Sequence, residues 1–196
     1  MLAHMNRVEE RITANGMDLD ELWLNVRAGK EKALSELFCV SYSWLFKYGY
    51  RIIPKEAFVK DAIQELFLVL WEKRASINEA RSVRSYLCSS LRRIIFRRVR
   101  KQKNRTQRNY SYRHHHNEEL QNREELIIRF EADRERERCL SLAIGSLSDR
   151  QKEAILLKYY DGFTNAEIAR IMDINKQSVY NHVSAAIRTM QDHVQG

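Results

Sequence analysis

From Asp18 onward, the apolar residues of this 196-residue chain recur mostly three and four positions apart. No stretch sustains the period of two that a half-buried strand demands. One proline and six glycines leave few places where a helix must break. The expectation is therefore an all-α protein of one or two domains, each with a small core. Two small helical domains are expected, over 18–105 and 134–194, joined by a flexible linker over 106–133.

The formal net charge is +8, which points to a polyanionic partner such as nucleic acid or an anionic membrane surface. No apolar run approaches the length of a membrane span, and no signal peptide is read ahead of the first domain. Cys39, Cys88 and Cys139 are too scattered for a disulfide framework or a paired metal site, which favours a reduced, cytoplasmic thiol state.

Two helices are expected between Asp18 and Arg51. Leu19, Leu22, Trp23 and Val26 share a face of the first, which ends near Gly29. Ala33, Leu34, Leu37, Phe38, Tyr42, Leu45 and Phe46 give the second a broad core stripe. Pro54 is placed at the start of a third helix, where no backbone donor is needed. In that helix, Val59, Ile63, Leu66 and Leu70 form a buried stripe that Phe67 and Trp71 widen. A second face carries Asp61, Gln64, Glu65, Leu68 and Glu72. It reads either as a solvated face with a stray leucine or as a docking surface for a basic partner helix.

Arg74 to Arg84 is expected to be a loop, free to project side chains. The next helix buries Tyr86, Leu87, Leu91, Ile94, Ile95 and Val99. Its outer face is expected to carry Arg92, Arg93, Arg97, Arg98, Arg100, Lys101, Lys103 and Arg105, eight cations with no acidic residue among them. Such a run is costly unless a polyanion neutralises it, and nucleic-acid contact is the preferred reading. From Thr106 to Asn122 the periodicity fails. The adjacent His114, His115 and His116 cannot readily surround one ion, so no metal site or cofactor is assigned. Helix is expected to resume near Glu124, with Leu126, Ile127, Phe130, Leu140 and Ile144 apolar.

Near the C terminus, Ser148 and Gln151 form one capping-box pair and Thr164 and Glu167 a second. Asp161 and Gly162 stop the helix between them. The stretch from Thr164 to Ser184 reads as two short helices around a tight turn at Asp173, a residue that tolerates left-handed dihedrals. Asn175 caps the second helix, and Val179, Val183, Ile187 and Met190 face inward. Lys176, Gln177, Tyr180, Asn181, Ser184 and Arg188 face away and can donate to phosphates or base edges. The pattern fits a DNA-binding helix-turn-helix, against the alternative of an ordinary helical hairpin.

These residues resemble a known family. The run DAIQELFLVLW from Asp61 to Trp71, followed by Ser85, Tyr86, Leu87 and the basic helix, is similar to region two of a bacterial sigma factor. LSDRQ at 147–151, DGFT at 161–164, EIA at 167–169 and Ser178 with Val179 are similar to region four. With only these two regions, the chain resembles the extracytoplasmic-function (ECF) class. The resemblance implies a region-2 helical bundle and a region-4 helix-turn-helix, with core RNA polymerase and promoter DNA as partners. Asp61, Gln64, Glu65, Leu68 and Trp71 would dock on the polymerase. The loop ending at Arg84 would accept an unstacked base of the −10 element. Arg92, Arg93, Arg97, Arg98, Arg100 and Lys101 would hold the opened strand. Lys176, Gln177, Ser178, Tyr180, Asn181 and Arg188 would meet the −35 element, and the linker would thread toward the polymerase channel. It also implies an anti-sigma partner, commonly membrane-bound. No small-molecule substrate is implied. The chain departs from the family pattern at Arg93 and Arg97, where Asn and Asp are usual, and at Asp173, where glycine is usual.

Two other classes compete. A free-standing regulator would use the helix-turn-helix alone and leave the acidic face and basic helix unexplained. A nucleic-acid-processing enzyme lacks a Gly-rich phosphate loop or a carboxylate cluster with metal spacing, and no catalytic residue is assigned.

Overall fold

The computed structural model describes residues 18–77, 80–110 and 142–195, with side chains for all but 104–110 and 193–195. The chain divides into two compact units, residues 1–114 and 115–196. Among the described residues there are helices and no strands. No described helix is long and apolar enough to cross a membrane.

The first unit contains α1 (Leu19–Arg27), α2 (Glu31–Ile52), α3 (Glu56–Lys73) and α4 (Val83–Tyr110). Asp18 caps α1, its carboxylate accepting from the Asp20 N–H, and Asp20 and Glu21 lie at the positive end of the helix dipole. Helix α2 packs against each of the other three, and α4 packs against α1, α2 and α3. Leu22, Leu37, Leu45, Ile63, Leu87, Leu91 and Ile95 are wholly or almost wholly buried at their common centre. Gly49 permits the closest approach: a Cβ there would lie 2.8 Å from Cγ1 of Val59, a stiff β-branched side chain.

Three expectations are corrected here. Pro54 does not open α3. Ile53 before it is extended (φ −137, ψ 110), as the proline ring demands, and Lys55 caps the helix instead. The loop expected over 74–84 is shorter than that. Arg74–Ser76 forms a 3₁₀ turn, and the Ser82 hydroxyl accepts from the Ser85 N–H, so the helix starts at Val83 and Arg84 lies in its first turn. Finally, α4 runs on to Tyr110, into the segment expected to be linker. Residues 104–110 lack an apolar stripe, but no glycine or proline interrupts them, and Arg105, Gln107 and Arg108 support helix. The remainder of the expected linker, its histidines and the helix near Glu124 lie outside the described residues.

In the second unit, residues 142–145 are helical, followed by α5 (Asp149–Tyr159), α6 (Asn165–Met172) and α7 (Lys176–Gln195). Both capping boxes form. The Thr164 N–H donates to Glu167 Oε2 at 2.9 Å, and the Glu167 N–H returns to Thr164 Oγ1 at 3.3 Å. Ser148 and Gln151 repeat the exchange. Helices α5 and α6 both pack on α7, around Leu157, Ile168, Ile171, Met172 and Val179.

Candidate nucleic-acid interface

The turn between α6 and α7 fixes the second helix's direction. Asp173 adopts φ 55, ψ 53, and its N–H and that of Ile174 both donate to the Ala169 carbonyl. Asn175 Oδ1 accepts from the Ser178 N–H at 2.7 Å and starts α7. Two side chains brace the pair: Lys158 Nζ donates to Asn165 Oδ1 at 2.7 Å, and Arg150 Nη1 reaches the Met172 carbonyl at 3.4 Å. On α7, Val179 and Val183 are buried, while Lys176, Gln177, Tyr180, Asn181, Ser184 and Arg188 are exposed along the opposite side. Gln177 Nε2 donates to Asn181 Oδ1 at 3.2 Å, so these two amides present as a pair. Ser178 is half-buried beside the cap, less open than the sequence suggested. The bracing by Arg150 was not anticipated; charge alone gives no sign that a cation will close a helix end.

On α3, Asp61, Gln64, Leu68 and Glu72 are exposed, Leu68 to 66%. Glu65 behaves differently. Its carboxylate accepts from Arg97 and from Arg98 Nε on α4, and Arg98 Nη1 also lies 3.8 Å from Asp61. Two of the cations read as unbalanced are therefore balanced within the fold, because α3 and α4 pack side by side. Trp71 is partly covered: the Arg74 guanidinium lies 4.2 Å from its ring centroid and Arg74 Nη1 donates to the Trp71 carbonyl.

The basic helix divides accordingly. Arg93, Arg100, Lys101 and Lys103 are exposed, and none makes an ion pair with another described residue. Arg92, expected on the outer face, is only 8% exposed and stacks over Phe96 at 4.5 Å. Arg84 packs over the Trp44 ring at 5.6 Å. Spacing of charges alone cannot reveal such stacking, because the aromatic partner of Arg84 lies 40 residues away on α2. Among the described residues no group of His, Cys, Asp and Glu could hold a metal ion.

A helix-turn-helix with a polar outer face, together with a four-helix unit carrying a free basic stripe, defines a DNA-binding transcription protein of all-α architecture. Residues 40–105 match the model of sigma-70 region 2, and residues 137–190 match that of sigma-70 region 4. The ECF RNA polymerase sigma factor SigK of Mycobacterium tuberculosis, and that of Mycobacterium bovis, is 24% identical over 176 residues, 89% of this chain and 92% of the relative. Among solved structures, the sigma factor RpoE of Bartonella quintana, in complex with the anti-sigma factor NepR, shares the fold with a TM-score of 0.59 and 18% identity. The alignment covers 84% of this chain and 98% of that one. CnrH, in complex with the cytosolic domain of CnrY, also gives 0.59, at 17% identity over 91% and 98% of the two chains. The chain belongs to the sigma-70 family, in its ECF class, and acts in transcription initiation. A free-standing regulator would leave the region-2 match without a purpose.

Proposed function

We propose that the chain binds core RNA polymerase through the exposed face of α3 and directs it to promoters with two recognition elements. The observation that carries this reading is the pairing, within one chain, of a helix-turn-helix unit and a helical unit bearing both an acidic, leucine-centred face and a separate basic stripe. Asp61, Gln64, Leu68 and Glu72 make the polymerase contact, with Leu68 as its apolar centre. Glu65 and Trp71 support that face through Arg97, Arg98 and Arg74. Arg93, Arg100 and Lys101 hold the phosphates of the opened −10 strand, whose flipped base costs a few kcal/mol that these contacts offset. Lys176, Gln177, Tyr180, Asn181 and Arg188 read the −35 element in the major groove.

The polymerase supplies all the chemistry, and this chain has no enzymatic activity of its own in this reading. Its working place is the cytoplasm, beside the nucleoid DNA. An anti-sigma factor is the expected regulator, by likeness to the relative solved with NepR. The test is reconstitution: adding the purified chain to core polymerase should yield transcripts with mapped, promoter-dependent start sites. Start sites no different from those of core polymerase alone would overturn the proposal.

A further inference from the structure

The acidic face of α3 is not fully available in the free chain. At about 100° per residue, Asp61, Glu65, Leu68 and Glu72 fall within about 60° of its circumference, so three carboxylates cluster beside the exposed leucine. Helix α4 lends two cations to the same cluster. The Glu65 carboxylate accepts from Arg97 and from Arg98 Nε, and Arg98 Nη1 stands 3.8 Å from Asp61. Most of the negative charge beside Leu68 is therefore cancelled by the chain itself.

Ion pairs between fully exposed side chains contribute little. Arg98 is held better than that. Only 30% of its side chain and 26% of that of Glu65 is exposed. Its guanidinium also lies 6.0 Å from the Phe58 ring centroid. Phe58, Asp61 and Glu65 follow the spacing i, i+3, i+7 along one edge of α3, and that edge is the seat of Arg98. A carboxylate has a limited number of acceptor positions, and Glu65 already serves two guanidiniums. A cationic segment approaching Leu68 must displace Arg97 and Arg98, or else meet a face with little charge left. Either route lowers its affinity. A segment that also sets an apolar side chain on Leu68 recovers the loss, whereas one offering charge alone does not.

We propose that Arg97 and Arg98 are internal competitors for polymerase docking. In the free chain they occupy Glu65 and Asp61 and weaken the attraction of α3 for basic segments in general. They yield to a basic segment of core polymerase that also covers Leu68 with an apolar side chain. This rests on the docking role proposed above for α3.

The test measures the affinity of the full chain for core polymerase, without DNA and at one fixed, low salt concentration. Arg97→Gln with Arg98→Gln frees both carboxylates and should bind about threefold to tenfold more tightly than the parent. Arg97→Lys with Arg98→Lys keeps the charges and should stay within about twofold of it. Lys47→Gln with Lys103→Gln removes the same net charge from exposed sites that pair with no described acidic residue, and should also stay within about twofold. In a chain that also carries Glu65→Gln, the gain from the Arg97 and Arg98 changes should fall below about twofold. Unchanged or weaker binding by the Gln pair, an equal gain in the Lys47 and Lys103 pair, or a gain that survives Glu65→Gln would each overturn the inference. If the Gln pair unfolds, Arg98→Gln alone makes the same comparison. A parent chain that does not bind core polymerase overturns the docking role and this inference with it. Normal binding by the parent without the gain overturns this inference alone.

Discussion

Glu65 shows how one residue's surroundings change its meaning. In sequence it belongs to an acidic face three or four residues from Asp61 and Leu68; in the fold it turns sideways and holds Arg97 and Arg98. An exposed ion pair contributes roughly 0.2–1 kcal/mol, and a carboxylate shared by two guanidiniums lies toward the upper part of that range. Glu65→Gln should therefore cost the first unit about 1 kcal/mol in chemical denaturation. It should also release two cations, steepening the salt dependence of DNA binding by about one to two units of slope. Glu72→Gln makes the same change in net charge from an exposed site that pairs with none of the described cations of α4, and should leave the slope nearly level. Equal slopes in the two variants would mean that the Glu65 contacts do not restrain Arg97 and Arg98. Conversely, neutralising Arg93 and Arg100 should flatten the slope by about one to two units, and more than neutralising Arg97 and Arg98 does. The eight cations of the sequence were legible; which of them were already occupied was not, since Glu65 is more than thirty residues away.

At the scale of the element, the best-anticipated part was the helix-turn-helix, because its signals are local. Capping boxes span three residues, and a left-handed turn is set by one. Asp173 carries a positive φ that costs most L-residues roughly 1–2 kcal/mol, and its short polar side chain lowers that cost without removing it. Asp173→Gly should thus leave the second unit as stable or up to about 1 kcal/mol more stable, whereas Asp173→Val should lose about 1–2 kcal/mol. Thermal unfolding of the full chain, followed by the transition of the second unit, separates the two outcomes. The same Val variant should lose −35 DNA affinity, because the turn sets the angle at which α7 leaves α6. Elements whose limits depend on weaker signals were read less well. The start of α4 depends on a single serine hydroxyl at Ser82, and its extension to Tyr110 on helix propensity without a core-facing stripe.

For the whole molecule, the division of labour between the two units gives the sharpest prediction. Leu68 is two-thirds exposed, so Leu68→Asp removes little packing and should not unfold the first unit. It should weaken binding to core polymerase by tenfold or more, since a buried interface centre contributes about 2 kcal/mol or more. Binding of the full chain to a −35 duplex should stay unchanged, and loss of both in parallel would argue against two separate surfaces. In the proposed reading, tethering raises the effective concentration of the second unit once the first is bound. The sequence by itself determined the helical class, the two-part organisation and the position of the helix-turn-helix. Those depend on periodicity, caps and turns that act over a few residues. Only the tertiary structure decided which charges are available. Packing α3 against α4 ties Glu65 to Arg97 and Arg98, packing α2 against α4 sets Arg84 on Trp44, and the position of Arg92 along its helix buries it beneath Phe96. A charge becomes a binding group only where no neighbour in the fold has already neutralised or covered it, and of these neighbours Glu65 and Trp44 come from elsewhere in the chain.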